Sequence, residues 1–253
     1  MSTAEFTNSP LTEVVLGVEF NAQDFSSVHF GLYWQTIQER FPNHPLDRPP
    51  IGEIEVFNIL RTLPRVWFES EDNKQLIQLQ ANRFYYNWRQ TEKNDIYPHF
   101  EEIYPKFLDE WEKLQAWWVN IETTPLQPIR YELSYVNQID RGFGWNNASD
   151  HPKIFRFLDQ KNWEGFSLNP NSFNANLEFE LEENQGTLVV NLNQGIRPQD
   201  NMPVIILNLT ASSTNTSMNI KKWFDLAHQS TVKLFLSLIN QEIQQKWGFK
   251  WSQ

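Results

Sequence analysis

The stretch RVWFESEDNKQLIQLQANRFYYNWR, residues 65–89, holds three runs of strand-forming residues divided by two short turns. Arg65–Ser70, Gln75–Gln80 and Arg83–Arg89 carry the apolar and aromatic side chains, and the polar Glu71-Asp-Asn-Lys74 and the tight Ala81-Asn82 corner separate them. Connectors this short join neighbouring antiparallel strands, because a parallel pair needs a crossover of a dozen or more residues. A fourth run, Ile54–Arg61, precedes the break at Leu63-Pro64, so an antiparallel meander is expected from Ile54 to Arg89. Side chains alternate along a strand, which sends Phe84, Tyr86 and Trp88 to one face and Arg83, Tyr85, Asn87 and Arg89 to the other.

Working outward, Val14, Leu16, Val18 and Phe20 alternate and predict a strand over 12–20. Phe30, Trp34, Ile37 and Phe41 recur at helical spacing and predict a helix from about Ser26 to Phe41. Between Pro42 and Pro50 four prolines fall in nine residues, which predicts an extended loop. After the meander, Phe100, Ile103, Phe107, Trp111, Leu114, Trp118 and Ile121 form one helical stripe. Pro98 suits the first turn of this helix, and Pro105 is expected to kink or restart it.

The second half reads similarly. Pro128 leads a strand through Ile129, Tyr131, Leu133, Tyr135 and Asn137, and Pro152–Leu158 suits a short helix or a short strand. Strands are expected over Phe173–Leu181, Thr187–Asn193 and Val204–Ala211, then one long helix from about Asn219 to Gly248. The expected class is α+β, an antiparallel sheet covered by long helices and built as a duplicated β-α-β(4)-α-like unit. Residues 1–125 and 126–253 would be the two repeats of one globular body. This element order resembles the TATA-binding-protein fold and, more loosely, helix-grip proteins, and carries no function by itself.

Composition narrows the chemistry. With 253 residues, 40% hydrophobic and 15% aromatic, the chain has ample surface to bury and is not a disordered segment. Zero cysteines remove disulfides, thiolate metal sites and cysteine nucleophiles. No apolar run reaches the ~20 residues of a membrane helix, and the first residues lack a secretion-signal layout, so a cytoplasmic protein without membrane contact is expected. A formal charge of -10 disfavours nucleic acid as a general partner.

The five histidines, His29, His44, His99, His151 and His228, show no metal-ligand spacing, and no phosphate loop, dinucleotide fingerprint or serine elbow occurs. Arg141-Gly-Phe-Gly-Trp145 reads as an aromatic loop, and Glu101-Glu102 and Glu182-Glu183 as solvated pairs. No catalytic residue, metal site or cofactor is assigned, and the enzyme question stays open. Only residues 61–93 run against the global charge: six basic and four acidic residues make them +2 while the remainder carries -12. There the arginines interleave with Trp67, Phe68, Phe84, Tyr85, Tyr86 and Trp88, a mixture suited to cation–π contact as well as packing. Arg65, Trp67, Arg83, Tyr85, Asn87 and Arg89 are therefore the candidate binding surface, the plainer alternative being arginines that pair with local acids above a packed face.

Several motifs resemble the signature of a sporadically distributed family of uncharacterised prokaryotic proteins. They are Pro10-Leu-x-Glu-Val-Val-Leu-Gly-Val18, His29-Phe-Gly-x-Tyr-Trp34, Arg65-Val-Trp-Phe68, Leu76-Ile-Gln-Leu-Gln80, Arg83-Phe-x-x-Asn-Trp-Arg89 and Tyr97-Pro-x-Phe-Glu101. The resemblance brings no activity, ligand or site residue, and its patchy occurrence implies an accessory, defence or toxin–antitoxin setting. The expected function is a non-catalytic binding or regulatory protein with a protein partner, and a homodimer through the C-terminal helix is a further expectation. Two alternatives stand beside it: a small-molecule sensor with an aromatic pocket between sheet and helices, and nucleic-acid contact through the 61–93 face.

Overall fold

The computed structural model describes residues 3–22, 25–51, 63–122, 124–158 and 172–252. In chain order its elements are β1 (Thr3–Phe6), β2 (Leu11–Asn21), α1 (Ser27–Ile37), β3 (Leu46–Arg48), β4 (Arg65–Glu69), β5 (Gln75–Gln80), β6 (Arg83–Arg89) and α2 (Phe100–Ile121). There follow β7 (Gln127–Ile139), α3 (His151–Ile154), β8 (Ala175–Glu180), β9 (Gly186–Arg197), β10 (Met202–Ser213), α4 (Ile220–Leu238), α5 (Gln241–Lys246) and β11 (Phe249–Ser252). The fold is α+β, with a nine-stranded antiparallel sheet in the order β3-β4-β5-β6-β2-β7-β10-β9-β8 and a separate β1-β11 pair. The strand expected over Ile54–Arg61 lies outside the described residues. The chain divides into two compact units, Glu13–Leu133 with Ser212–Trp223, and Met1–Thr12 with Ser134–Ala211 and Phe224–Gln253.

In the first of these units the meander forms as its turns dictate, and β5 and β6 have the predicted limits. One sheet face is apolar: Val14, Leu16, Val18, Phe20, Phe68, Ile77, Phe84 and Tyr86 are all essentially inaccessible. Helix α2 covers it, with Phe84 meeting Phe107 and Trp111 at centroid distances of 6.3 and 5.7 Å and Phe20 meeting Trp111 at 5.5 Å. Each such phenylalanine contributes roughly 2–3 kcal/mol of burial. Pro105 does not restart α2, which runs through it without interruption. Proline removes the hydrogen bond to the carbonyl of Glu101, and both residues lie on the exposed side, where water can solvate that carbonyl. Ile121, expected in the buried stripe, is 40% exposed at the helix end.

Helix α1 is shorter than predicted and stops at Ile37. Its N-terminus is capped reciprocally: the Ser26 backbone N–H donates to His29 Nδ1 at 2.9 Å, so a histidine fills the place usually held by Glu or Gln. Tyr33 is fully buried, while Trp34 lies at the margin and donates its indole N–H to the Phe41 carbonyl at 3.2 Å. The loop expected over 42–50 contains a short strand, β3, paired with β4. An ion pair between a partly solvated arginine and a buried carboxylate ties the loop after α1 to α2, with Arg40 Nε and Nη2 donating to Glu110 Oε1 and Oε2 at 2.7 and 2.9 Å.

In the second unit Leu188, Val190, Leu192, Leu207 and Leu209 bury one face of β9 and β10. The single C-terminal helix predicted over 219–248 is instead two, α4 and α5, divided at Ile239-Asn240. The cause is a distant segment: Asn240 donates its backbone N–H to the Ile154 carbonyl and its amide to the carbonyls of Pro152 and Lys153, while Phe155 and Ile239 form a bridge pair. The expected helix-or-strand ambiguity at 152–158 resolves into both, a four-residue helix followed by that bridge. Gly248, at φ +75, ends α5 and turns the chain into β11.

Candidate functional site

The face of the first unit's sheet opposite α2 is polar, and the strand registers assemble it. Tyr85 stands across from Gln78 in β5 and Gly17 in β2, and Gln78 stands across from Trp67 in β4. Arg83 faces Gln80 and Glu19, Asn87 faces Leu76 and Val15, and Arg89 faces Glu13. Arg65 is directly opposite Arg48 in β3. All six residues singled out in the sequence, Arg65, Trp67, Arg83, Tyr85, Asn87 and Arg89, thus belong to one face.

A directional hydrogen-bond chain crosses it. Arg65 Nη1 and Trp67 Nε1 both donate to Gln78 Oε1, at 2.8 and 3.1 Å. Gln78 Nε2 donates to Asn87 Oδ1 at 2.9 Å, and Asn87 Nδ2 donates to Glu13 Oε1 at 2.6 Å. The chain orients both amides without ambiguity, since a flip of either would set donor against donor. Gln78 and Asn87 are buried. Burial raises the Glu13 carboxyl above its ordinary range, against the opposing pull of the Asn87 hydrogen bond and the Arg89 charge.

Beside the chain, Arg83 Nη2 donates to Glu19 Oε1 at 3.1 Å and Nη1 to the Tyr85 hydroxyl at 3.3 Å, while Arg130 Nη1 lies 3.8 Å from Glu19 Oε2. The Tyr85 ring lies over Gly17, where any Cβ would stand 2.3 Å from its Cδ1. Burial, reinforced by the negative charge of Glu132, pushes the Tyr85 hydroxyl up to about 12. Glu132 is likewise raised, first by burial and then by Glu19, with Arg83 opposing. Around Trp67, the guanidinium carbons of Arg48, Arg65 and Arg89 lie 4.6, 5.6 and 5.8 Å from the ring centroid. Arg89 is also paired with Glu69 at 2.7 Å. Among the described residues of the face, the buried polar atoms Glu19 Oε2, Arg65 Nε and Arg83 Nε have no hydrogen-bond partner.

Two readings of the sequence are therefore both represented. Arg83 and Arg89 do pair with acids, as the plainer alternative required, whereas the hydrogen-bond partner of Arg65 among the described residues is the neutral Gln78. The sequence reading missed Glu13, Glu19, Gln78, Gly17, Arg48 and Glu132, and the only signal for the first four was their place in alternating strands. Arg61 lies outside the described residues. The other motifs serve packing. Trp145 is fully buried, Phe143 O accepts from Trp247 Nε1 at 3.1 Å, His151 Nδ1 contacts the Ala148 carbonyl, and His228 Nδ1 meets the Tyr135 hydroxyl at 2.7 Å. Among the described residues no group of three or more His, Asp or Glu could hold a metal ion, and no helix is long and apolar enough to cross a membrane.

No protein-family model matches the chain, and no curated protein or solved structure shows significant similarity to it.

Proposed function

We propose that the protein is a non-catalytic binding protein whose polar sheet face engages an acidic region of a protein partner through the partly exposed Arg65, Trp67, Arg83 and Arg89, with the buried Tyr85 and Asn87 supporting them from beneath. The observation that carries this reading is the Arg65/Trp67–Gln78–Asn87–Glu13 chain. Burying such groups gains little stability, about 1 kcal/mol net per hydrogen bond, and apolar packing would give more. Its effect is positional: it holds a cation and an indole at fixed places on an otherwise self-paired face, which lowers the ordering cost of binding. The chain runs from donors to a single carboxylate and contains no nucleophile–base pair, which favours recognition over catalysis. Glu13, Glu19, Glu69 and Glu132 interleave with the arginines, an arrangement that selects a patterned partner and would repel a uniform phosphodiester backbone.

A photo-crosslinking residue at position 67, introduced in the native host, tests the reading. The expected product is one recurrent heterologous protein whose purified form binds wild type and loses affinity when Trp67 is replaced by Ala. Crosslinks only to the protein itself, or a partner indifferent to Trp67→Ala, would remove it.

A further inference from the structure

Arg48 and Arg65 are directly opposed across the β3–β4 pair, and like charges in that position repel. Natural sheets relieve such a pair with a carboxylate, and neither arginine makes an ion pair with one among the described residues. Arg65 spends one Nη on Gln78, keeps a buried Nε with no acceptor, and is desolvated enough to lower its basicity, with Arg48 adding to that effect. Arg48 is exposed, and its described contact is the Trp67 ring. The third guanidinium at the ring, Arg89, is already satisfied by Glu69 and by the Asn73 carbonyl. Two cations from opposed backbone positions are thus held against one indole, with donor capacity to spare among the described residues.

We infer that Arg48 and Arg65 form an oxyanion subsite for a carboxylate of an acidic peptide segment, received at the edge of Trp67. This rests on the recognition face proposed above and names the chemistry of its occupant. Guanidinium forks match a carboxylate in plane and in spacing, and a bound anion would cancel the Arg48–Arg65 repulsion as well as add hydrogen bonds. Because Arg48 stands at the surface, a single carboxylate binds weakly, and a run of them on one peptide gains by effective concentration.

The test is a titration of the intact protein with a hexaglutamate peptide at constant ionic strength. It is followed through the Trp67 indole N–H resonance, assigned by its loss in Trp67→Phe. The expected result is a saturable shift that weakens roughly tenfold in Arg48→Gln and survives in Lys222→Gln on α4. Arg48→Gln should also leave the unliganded melting temperature unchanged or higher, since it removes a repulsion, which separates loss of binding from loss of fold. An identical shift in Arg48→Gln, or an equal one from sodium chloride, would overturn the subsite. Tighter binding of inorganic phosphate than of hexaglutamate would overturn the peptide carboxylate as its occupant. A partner crosslinked at position 67 in the absence of any hexaglutamate effect would sink the subsite alone; failure of both would sink the recognition face too.

Discussion

The ring of Tyr85 and a side chain at position 17 exclude one another, because a methyl group on Gly17 would lie 2.3 Å from Cδ1 and 2.4 Å from Cε1 of that ring. Gly17→Ala must therefore lift Tyr85 off β2 and break its contact with Arg83. The expected cost is about 1–3 kcal/mol by urea unfolding. In a Tyr85→Ala background the same substitution should cost only a few tenths of a kcal/mol, and equal costs in both backgrounds would contradict the exclusion.

Asn87 is the middle of the hydrogen-bond chain. Asn87→Ala leaves Gln78 Nε2 without an acceptor and Glu13 Oε1 without its donor. A loss of about 2–4 kcal/mol is expected, because two polar groups lose their partner on a desolvated face. A loss below roughly 0.5 kcal/mol would mean that water replaces the amide freely and that the chain has no organising role.

Glu13 supplies a pH dependence with a defined sign. Its folded-state pKa is raised above the ordinary 4.5, so between those two values the folded protein holds a proton that the unfolded chain has released. Stability contributed by this group is present below pH 4.5 and is lost as pH rises through the folded value. Glu13→Gln keeps an acceptor for Asn87 and removes the titration. Its stability relative to wild type should grow from pH 4.5 towards neutrality in denaturant midpoints, and a difference that shrinks over this range would reverse the assignment.

Gly248 combines a left-handed backbone, φ +75, with a Thr7 side chain that would lie 2.7 Å from any added Cβ. Gly248→Ala is expected to cost about 1–3 kcal/mol. The loss should concentrate in β1 and β11, so hydrogen exchange at Lys250 and Glu5, which are cross-strand partners, should accelerate before exchange in β5 or β6 does.

Arg40 guards a buried carboxylate. Glu110 is 5% exposed and takes both oxygens to Arg40. Arg40→Leu should destabilise by about 2–3 kcal/mol, less than a wholly buried pair because the arginine itself is partly solvated. Adding Glu110→Gln should restore much of the loss in the double variant, and a double variant no better than Arg40→Leu would count against the pairing.

What could be read in the sequence follows the range of the forces involved. The meander was legible because turns and two-residue alternation act over a few residues, and the same alternation placed Arg83, Tyr85, Asn87 and Arg89 together. Glu13 and Glu19 were not legible as their partners, since Asn87 and Arg83 reach them across 74 and 64 residues through a register that no local pattern states. The interruption of the last helix is of the same kind. Nothing near Asn240 breaks a helix, and the carbonyls that capture it belong to residues 152–154. Strands β1, β3 and β11 have three or four residues each, too short for alternation to register. On α1 the predicted stripe includes Trp34 and omits its neighbour Tyr33, and only the packing of Tyr33 against Phe68 and Trp117 decides that Tyr33 is the buried one.

The pairing of β1 with β11 joins residues 3–6 to residues 249–252. A ribosome makes the second of these strands only after residues 7–248 have followed the first. The second unit therefore cannot complete its two-stranded sheet until Ser252 has been synthesised, and Phe6 waits without the Phe235, Trp247 and Phe249 rings that later surround it. The pairings of β4 with β5 and of β5 with β6, by contrast, lie within 25 residues and can form while β7 to β11 are still unmade. Connectivity alone thus imposes a timetable on folding in the cell, in which β4, β5 and β6 of the arginine face can pair before the clasp between β1 and β11 closes.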